Sequence, residues 1–211
     1  MPLSAPPGAD DPDDADDSDD AADPADLADR VRRAPARLGS TRLVCVDGPA
    51  GSGKTTLAAA LAASLDDATV VHMDDVYRGW DTDFDEVHTR LRSQLVEPLR
   101  RADPARYQRY DWVAGQFDAW VDVPVPAVLV LEGVGSGAQI LDPWRSLLLW
   151  VEVDRPERLR RGLDRDGPQV LPHWLAWMRH EEVEHARQRT RERADVRLRG
   201  DGPLGRPAGS A

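Results

Sequence analysis

The chain has 211 residues, 41% of them hydrophobic and 31% charged, and a formal net charge of -11 at pH 7. That length suits one folded domain, and the apolar fraction is enough for a core. A single cysteine, Cys45, excludes an internal disulfide and fits a reducing cytoplasm. No run approaches the roughly 18–20 apolar residues of a membrane helix, and the acidic start lacks the basic segment and apolar core of a signal peptide, so a cytoplasmic protein is expected.

Residues 1–29 contain eleven aspartates and neither Lys nor Arg. They are expected to form a disordered acidic tail, and without them the chain is near neutral. Residues 41–47, "TRLVCVD", read as a short buried strand. Residues 54–65, "KTTLAAALAASL", read as a helix, and residues 68–73, "ATVVHM", as a second strand. Residues 85–102 carry apolar side chains at helical spacing, at Val87, Leu91, Leu95 and Leu99. Residues 105–123, rich in aromatic and polar side chains, suit a hairpin excursion beside the site.

Residues 127–133 and 146–154 read as two further buried strands. Residues 155–166 form a helix with Pro156 in its first turn. Residues 173–194 form a long helix, and residues 195–199 a last short strand. Continuous apolar strands alternating with helices predict an α/β fold: a parallel sheet covered on both faces, in three layers. The folded domain is expected over residues 30–200, with 201–211 as a flexible C-terminus.

Between the first strand and the first helix lies "GPAGSGKTT". It fits G-x-x-x-x-G-K-[ST] in full, with Gly48, Gly53, Lys54 and Thr55 at the fixed positions. The glycines permit a tight turn whose N–H groups point at phosphate oxygens, and the helix start adds positive potential. Lys54 is the only lysine among 27 basic residues. A compact ammonium on a flexible stem reaches the β and γ phosphates where arginine's planar fork fits poorly. Gly48, Pro49, Ala50, Gly51, Ser52, Gly53, Lys54, Thr55 and Thr56 are therefore expected to hold ATP, with the Thr55 hydroxyl on Mg²⁺. A glycine-rich turn without a ligand would not account for the lone lysine.

Two strand ends add carboxylates where parallel sheets bind ligands. Glu132 suits the metal side. Asp74 or Asp75 suits a base for an attacking hydroxyl, though Asp75 also suits a turn cap. Tyr77 and Arg78 lie close by. "HEEVEH" sets His180 and His185 five apart, which misses the zinc spacing of H-E-x-x-H. His72 reads as structural, Trp174 and Trp177 as packing or a lid face, and Cys45 as a buried apolar residue. The arginines of 187–199 alternate with acids, which favours a salt-bridged surface over a nucleic-acid site.

"GPAGSGKTT", "MDDVYR", "YDW", "LEG", "VEVDRPERLRRGLDRD" and "RADVRL" stand in the order found in uridine kinases and their P-loop relatives. The chain resembles that family over about residues 42–198. The resemblance implies a P-loop kinase with a small arginine-rich lid, using ATP and Mg²⁺ to phosphorylate a nucleoside-like small molecule. It implies Asp74 as catalytic acid and Glu132 as metal-side acid. Tyr77, Arg78, Tyr110, Asp111 and Trp112 would lie on the acceptor side, and Arg161 and Arg165 in the lid over the phosphates. Gly115 stands where the family has a base-reading histidine, which implies that uridine is a poor acceptor. A nucleoside monophosphate kinase, or an NTP-binding ATPase without an acceptor, are the other classes the motifs allow.

Overall fold

The computed structural model describes residues 23–200. The first 22 residues of the acidic tail expected over 1–29, and the loose end expected over 201–211, lie outside the described residues. The domain boundary drawn at residue 30 is corrected by a helix, α1 (Pro24–Arg33). The Asp23 carboxylate caps it by accepting from the Ala25 N–H at 2.9 Å, and Pro24 supplies the first turn's fixed φ. Leu27, Ala28 and Val31 are fully buried on one face. Three apolar residues among aspartates make a stripe that composition hides and periodicity shows.

The chain continues through β1 (Arg42–Asp47), α2 (Lys54–Ala63), β2 (Ala68–His72), α3 (Phe84–Leu91), a π turn over Arg92–Val96 and α4 (Glu97–Arg100). There follow β3 (Ala105–Asp111), β4 (Gln116–Val123), β5 (Val128–Glu132), β6 (Arg145–Glu152), α5 (Arg155–Asp166), α6 (Leu171–Gln188), α7 (Thr190–Arg193) and β7 (Val196–Arg199). Five strands form one parallel sheet in the order β2-β5-β1-β6-β7. Alternate side chains of the central strands enter opposite layers. Val44, Val46, Val130 and Leu149 pack with Leu27, Leu57 and Leu61 of α1 and α2. Leu43, Cys45, Leu129 and Leu131 pack with Val87, Leu91, Leu99 and Trp177 of α3, α4 and α6. This is the three-layer arrangement expected, and it brings the carboxyl ends of β1, β2 and β5 to one edge.

Two long helices are interrupted. Pro98 has no N–H for an i−4 carbonyl, and the turn before it widens to π over Arg92–Val96. Arg189 takes a left-handed φ of 50° and separates α6 from α7. The excursion is a hairpin, β3 against β4. Asp111 Oδ1 accepts from the Val113 and Ala114 N–H groups at 2.8 and 2.9 Å, and Gly115 supplies a φ of +67°. Gly115 thus has a backbone reason to be glycine.

A chain beginning at Arg30 lacks Leu27 and Ala28 and should melt lower than one beginning at Ala22. Burial of Leu27 alone contributes about 1.5–3 kcal/mol, so a loss of at least about 3 °C in thermal melting is expected. Equal melting temperatures would show that α1 adds nothing to the core.

Candidate functional site

Below β1 the chain turns through the glycine-rich loop into α2. A side chain on Gly48, whose φ is +139°, would collide with the Val151 carbonyl of β6. A short loop without side chains to anchor it needs support from outside. Asp47, fully buried, gives part of that support. Its Oδ1 accepts from the Gly48 N–H at 2.7 Å, the Gly135 N–H at 3.1 Å and His185 Nε2 at 3.2 Å, and its Oδ2 from the Gly137 N–H at 2.8 Å. Burial alone pushes its carboxyl up, but these donors, His185 foremost, outweigh burial and hold it below the ordinary aspartate range.

Glu181 of α6 supports the other side. Its Oε2 accepts from the Ala50 N–H at 2.7 Å, and its Oε1 from Arg158 Nη1 at 2.8 Å. Lys54 opens α2 and donates to the Pro49 carbonyl at 2.8 Å. Burial lowers its ammonium's pKa, and Glu181, Glu132, Asp47 and Asp74 oppose that shift.

The loop forms one wall of a cavity of about 590 Å³. Thr55 Oγ1 donates to Glu132 Oε1 at 3.1 Å, and His72 Nδ1 meets the same oxygen at 2.5 Å. A hydroxyl beside a carboxylate, both oxygen donors, suits Mg²⁺, which takes one or two protein oxygens and completes its shell with phosphates and water. Asp74 follows β2 in a short 3₁₀ turn. Its side chain is open to the cavity, while protein encloses the cavity around it. That enclosure, and then the nearby Glu132 charge, raise its carboxyl above the usual range, against Lys54 and Arg165. Arg161 and Arg165 of α5 close the side above the loop. Arg161 Nη1 donates to the Gly51 carbonyl at 3.4 Å, and Arg165 pairs with Asp166 at 2.8 Å.

The far half of the cavity is aromatic. Trp80 lies 5.7 Å from Trp112, 6.3 Å from Trp174 and 6.2 Å from Trp177, centroid to centroid. Trp112 reaches in from the hairpin and donates its Nε1–H to the Asp74 carbonyl at 3.0 Å. Tyr77 presents its ring, with its hydroxyl bound to the Val134 carbonyl at 2.6 Å.

Thus the structure brings together Ala50, Gly51, Gly53, Lys54, Thr55 and Thr56 with Asp74, Tyr77, Trp112, Glu132, Arg161 and Arg165 around one cavity. Gly48, Pro49 and Ser52 lie behind it as loop framework, Ser52 fully buried. Arg78, Tyr110 and Asp111 are not part of the lining. Arg78 faces Glu86 at 4.0 Å, Tyr110 packs edge-on to Phe117, and the Asp111 carboxylate holds the hairpin turn. Asp75 accepts from the Tyr107 hydroxyl at 2.8 Å, pinning the hairpin rather than entering the cavity.

Asp47, Trp80, Arg158 and Glu181 escaped the sequence analysis, and His185 was weighed there only as a zinc ligand and set aside. The available signal was the i, i+4 spacing of Glu181 and His185 inside "HEEVEH", which puts both on one helix face. The arginines of the C-terminal stretch are paired as expected of a salt-bridged surface, Arg187 with Asp85 and Arg191 with Glu152, both at 2.8 Å.

A possible uridine kinase from Bacillus stearothermophilus superposes with a TM-score of 0.56 at 20% identity, over 82% of this chain and 99% of its own. A protein provisionally assigned as a fructose transport system kinase from Silicibacter sp. TM1040 superposes with a TM-score of 0.58 at 24% identity, over 84% of this chain and 99% of its own. The fold is that of the P-loop kinases. At these identities the likeness carries the fold and not the acceptor. Neither the protein-family models nor the curated protein sequences give a match to the chain. No helix among the described residues is long and apolar enough to cross a membrane.

Asp47→Asn would set an amide N–H₂ against backbone donors in a buried site. We expect a loss of about 3 kcal/mol or more in denaturant unfolding at pH 7. Because the folded carboxyl titrates below its unfolded value, its contribution is complete above about pH 4 and is lost as pH falls through the lower folded value. Below pH 4 the wild type should therefore lose stability more steeply than Asp47→Asn. Parallel pH profiles would contradict the assigned role.

Proposed function

We propose that the protein transfers the γ-phosphoryl group of ATP to a hydroxyl of a nucleoside-like small molecule. The observation that carries this is the position of Asp74. It lines the same cavity as the lysine of the phosphate loop and the tryptophans, and its backbone carbonyl accepts from Trp112. Lys54 and the loop N–H groups would hold the β and γ phosphates, and Thr55 and Glu132 would hold Mg²⁺. The ion would neutralise charge on the phosphate oxygens.

The acceptor hydroxyl would hydrogen-bond to Asp74 and so be aimed at the γ-phosphorus. Its oxygen forms the new P–O bond, the bond to the ADP oxygen breaks, and Asp74 takes the proton. A carboxylate with a raised pKa is a stronger base than an ordinary one. Arg161 and Arg165 would balance charge on the transferring group. The rings of Trp80, Trp112 and Trp174 favour an acceptor with a flat aromatic ring, which stacks on indole faces. A volume of about 590 Å³ suits a ligand of that size beside the phosphates.

The test is ADP release measured over a panel of nucleosides, nucleoside monophosphates and sugars. We expect release to depend on a nucleoside. With Gly115 at the hairpin tip in place of a base-reading side chain, uridine should be about tenfold to a hundredfold poorer than the best nucleoside. Asp74→Asn should keep ATP affinity and lower the rate by roughly 10²–10⁴. Asp75→Asn should do much less, because its partner is Tyr107. Equal ADP release without any acceptor would make the protein an ATPase, and an active Asp74→Asn would remove Asp74 as the base.

A further inference from the structure

Lys54 and Glu181 hold one peptide group from its two ends. The peptide joining Pro49 to Ala50 gives its carbonyl to Lys54 Nζ at 2.8 Å and its N–H to Glu181 Oε2 at 2.7 Å. In a trans peptide the carbonyl and N–H point in opposite directions. Fixing the N–H therefore fixes where the carbonyl aims, and with it where the lysine ammonium rests. Without Glu181 the carbonyl end keeps the Lys54 ammonium and the Ser52 N–H, the latter at 3.2 Å, but the N–H end loses its acceptor, and neither Pro49 nor Ala50 has a polar side chain to replace it.

Glu181 is itself held. Arg158 of α5 donates through Nη1 to Glu181 Oε1 at 2.8 Å and to the Ala50 carbonyl at 3.1 Å, and through Nε to the Val153 carbonyl at 3.0 Å. The side chains of Arg158 and Glu181 are 10% and 2% exposed, so water barely competes for these bonds. The arrangement joins three elements. Glu181 comes from the helix that carries Trp177 into the aromatic wall, Arg158 from the helix that carries Arg161 and Arg165, and the peptide from the phosphate loop.

We infer that Glu181, oriented by Arg158, is a positioning residue that sets the Lys54 ammonium for phosphate binding. It does so by fixing the plane of the Pro49–Ala50 peptide. It is not a catalytic residue, since it acts through the loop. The bland alternative is a buried ion pair that only stabilises the packing of α5 on α6. The two differ in what happens to Lys54 when the pair is replaced as a unit. Breaking one partner of a buried pair leaves an uncompensated charge, whereas replacing both by apolar residues of similar volume is commonly tolerated.

The inference rests on the proposed ATP site for its binding readout only. Its first readout needs no nucleotide. Lys54 is the sole lysine, so amine acylation followed by peptide mass mapping reports its freedom directly. In Arg158→Met/Glu181→Leu we expect Lys54 to be acylated about tenfold faster than in the wild type, with the melting temperature within a few degrees. Mg·ATP affinity should be weaker by about tenfold, the scale of one charge-assisted hydrogen bond. Should the double variant not fold, Glu181→Gln carries the same comparison. It keeps the volume, but its amide can satisfy the Ala50 N–H or Arg158 and not both. A folded variant whose Lys54 is acylated at the wild-type rate would overturn the inference and leave the pair a packing device. A wild type that does not bind Mg·ATP would overturn the proposed function instead, while the acylation rates still decide the role of Glu181.

Discussion

A loop built of glycine, alanine and proline cannot anchor itself through its side chains. The stretch from Gly48 to Gly53 has little but glycine, alanine and proline with which to hold its shape, and its one hydroxyl, on Ser52, has no hydrogen-bond partner. Two carboxylates therefore hold its N–H groups, while Lys54, Arg158 and Arg161 donate to its carbonyls. Asp47 ties the start of the loop to the turn after β5, through Gly135 and Gly137, and to α6, through His185. A carboxylate only accepts, so the shared hydrogen with His185 sits on Nε2, and the imidazole stands edge-on to Trp150 at 4.8 Å. Glu181, one helical turn earlier, ties the middle of the loop to α6 and α5. Both carboxylates are desolvated, and both are compensated by several donors, which is the condition under which buried charge is tolerated.

The same scaffold divides the cavity by charge and shape. Lys54, Arg161 and Arg165 gather positive charge at the loop end. The indole rings of Trp80, Trp112 and Trp174 gather at the other. Asp74 and Glu132 line the same cavity, and desolvation, then the Glu132 charge, raise the Asp74 carboxyl. The hairpin matters because its Tyr107 grips Asp75 while its Trp112 binds the Asp74 carbonyl. Both contacts fix the strand end on which Asp74 sits.

Much of this was legible in the sequence, for a physical reason. Fully buried parallel strands are continuous apolar runs, and the phosphate loop has fixed spacing, so β1, α2, β5 and the loop appear without any tertiary information. The face of α1 did not, because three apolar residues among aspartates vanish in an average. Pro98 marked a helix defect that the apolar spacing of residues 85–102 masked. Contacts remote in sequence were out of reach: nothing local ties Glu181 to Ala50 or His185 to Asp47. Resemblance placed Asp74, Tyr77, Glu132 and Trp112 around the cavity, yet it also nominated Arg78, Tyr110 and Asp111, whose side chains turn to Glu86, to Phe117 and to the hairpin turn.

The central claim is that a preset loop holds a nucleoside triphosphate through Lys54. Titration calorimetry of Mg·ATP against the wild type and Lys54→Ala tests it most directly, with folding of both checked by thermal melting. The account predicts a single saturable site in the wild type and no measurable heat of binding in a folded Lys54→Ala. Equal affinity in the two proteins would contradict it, and the lone lysine would then need another explanation.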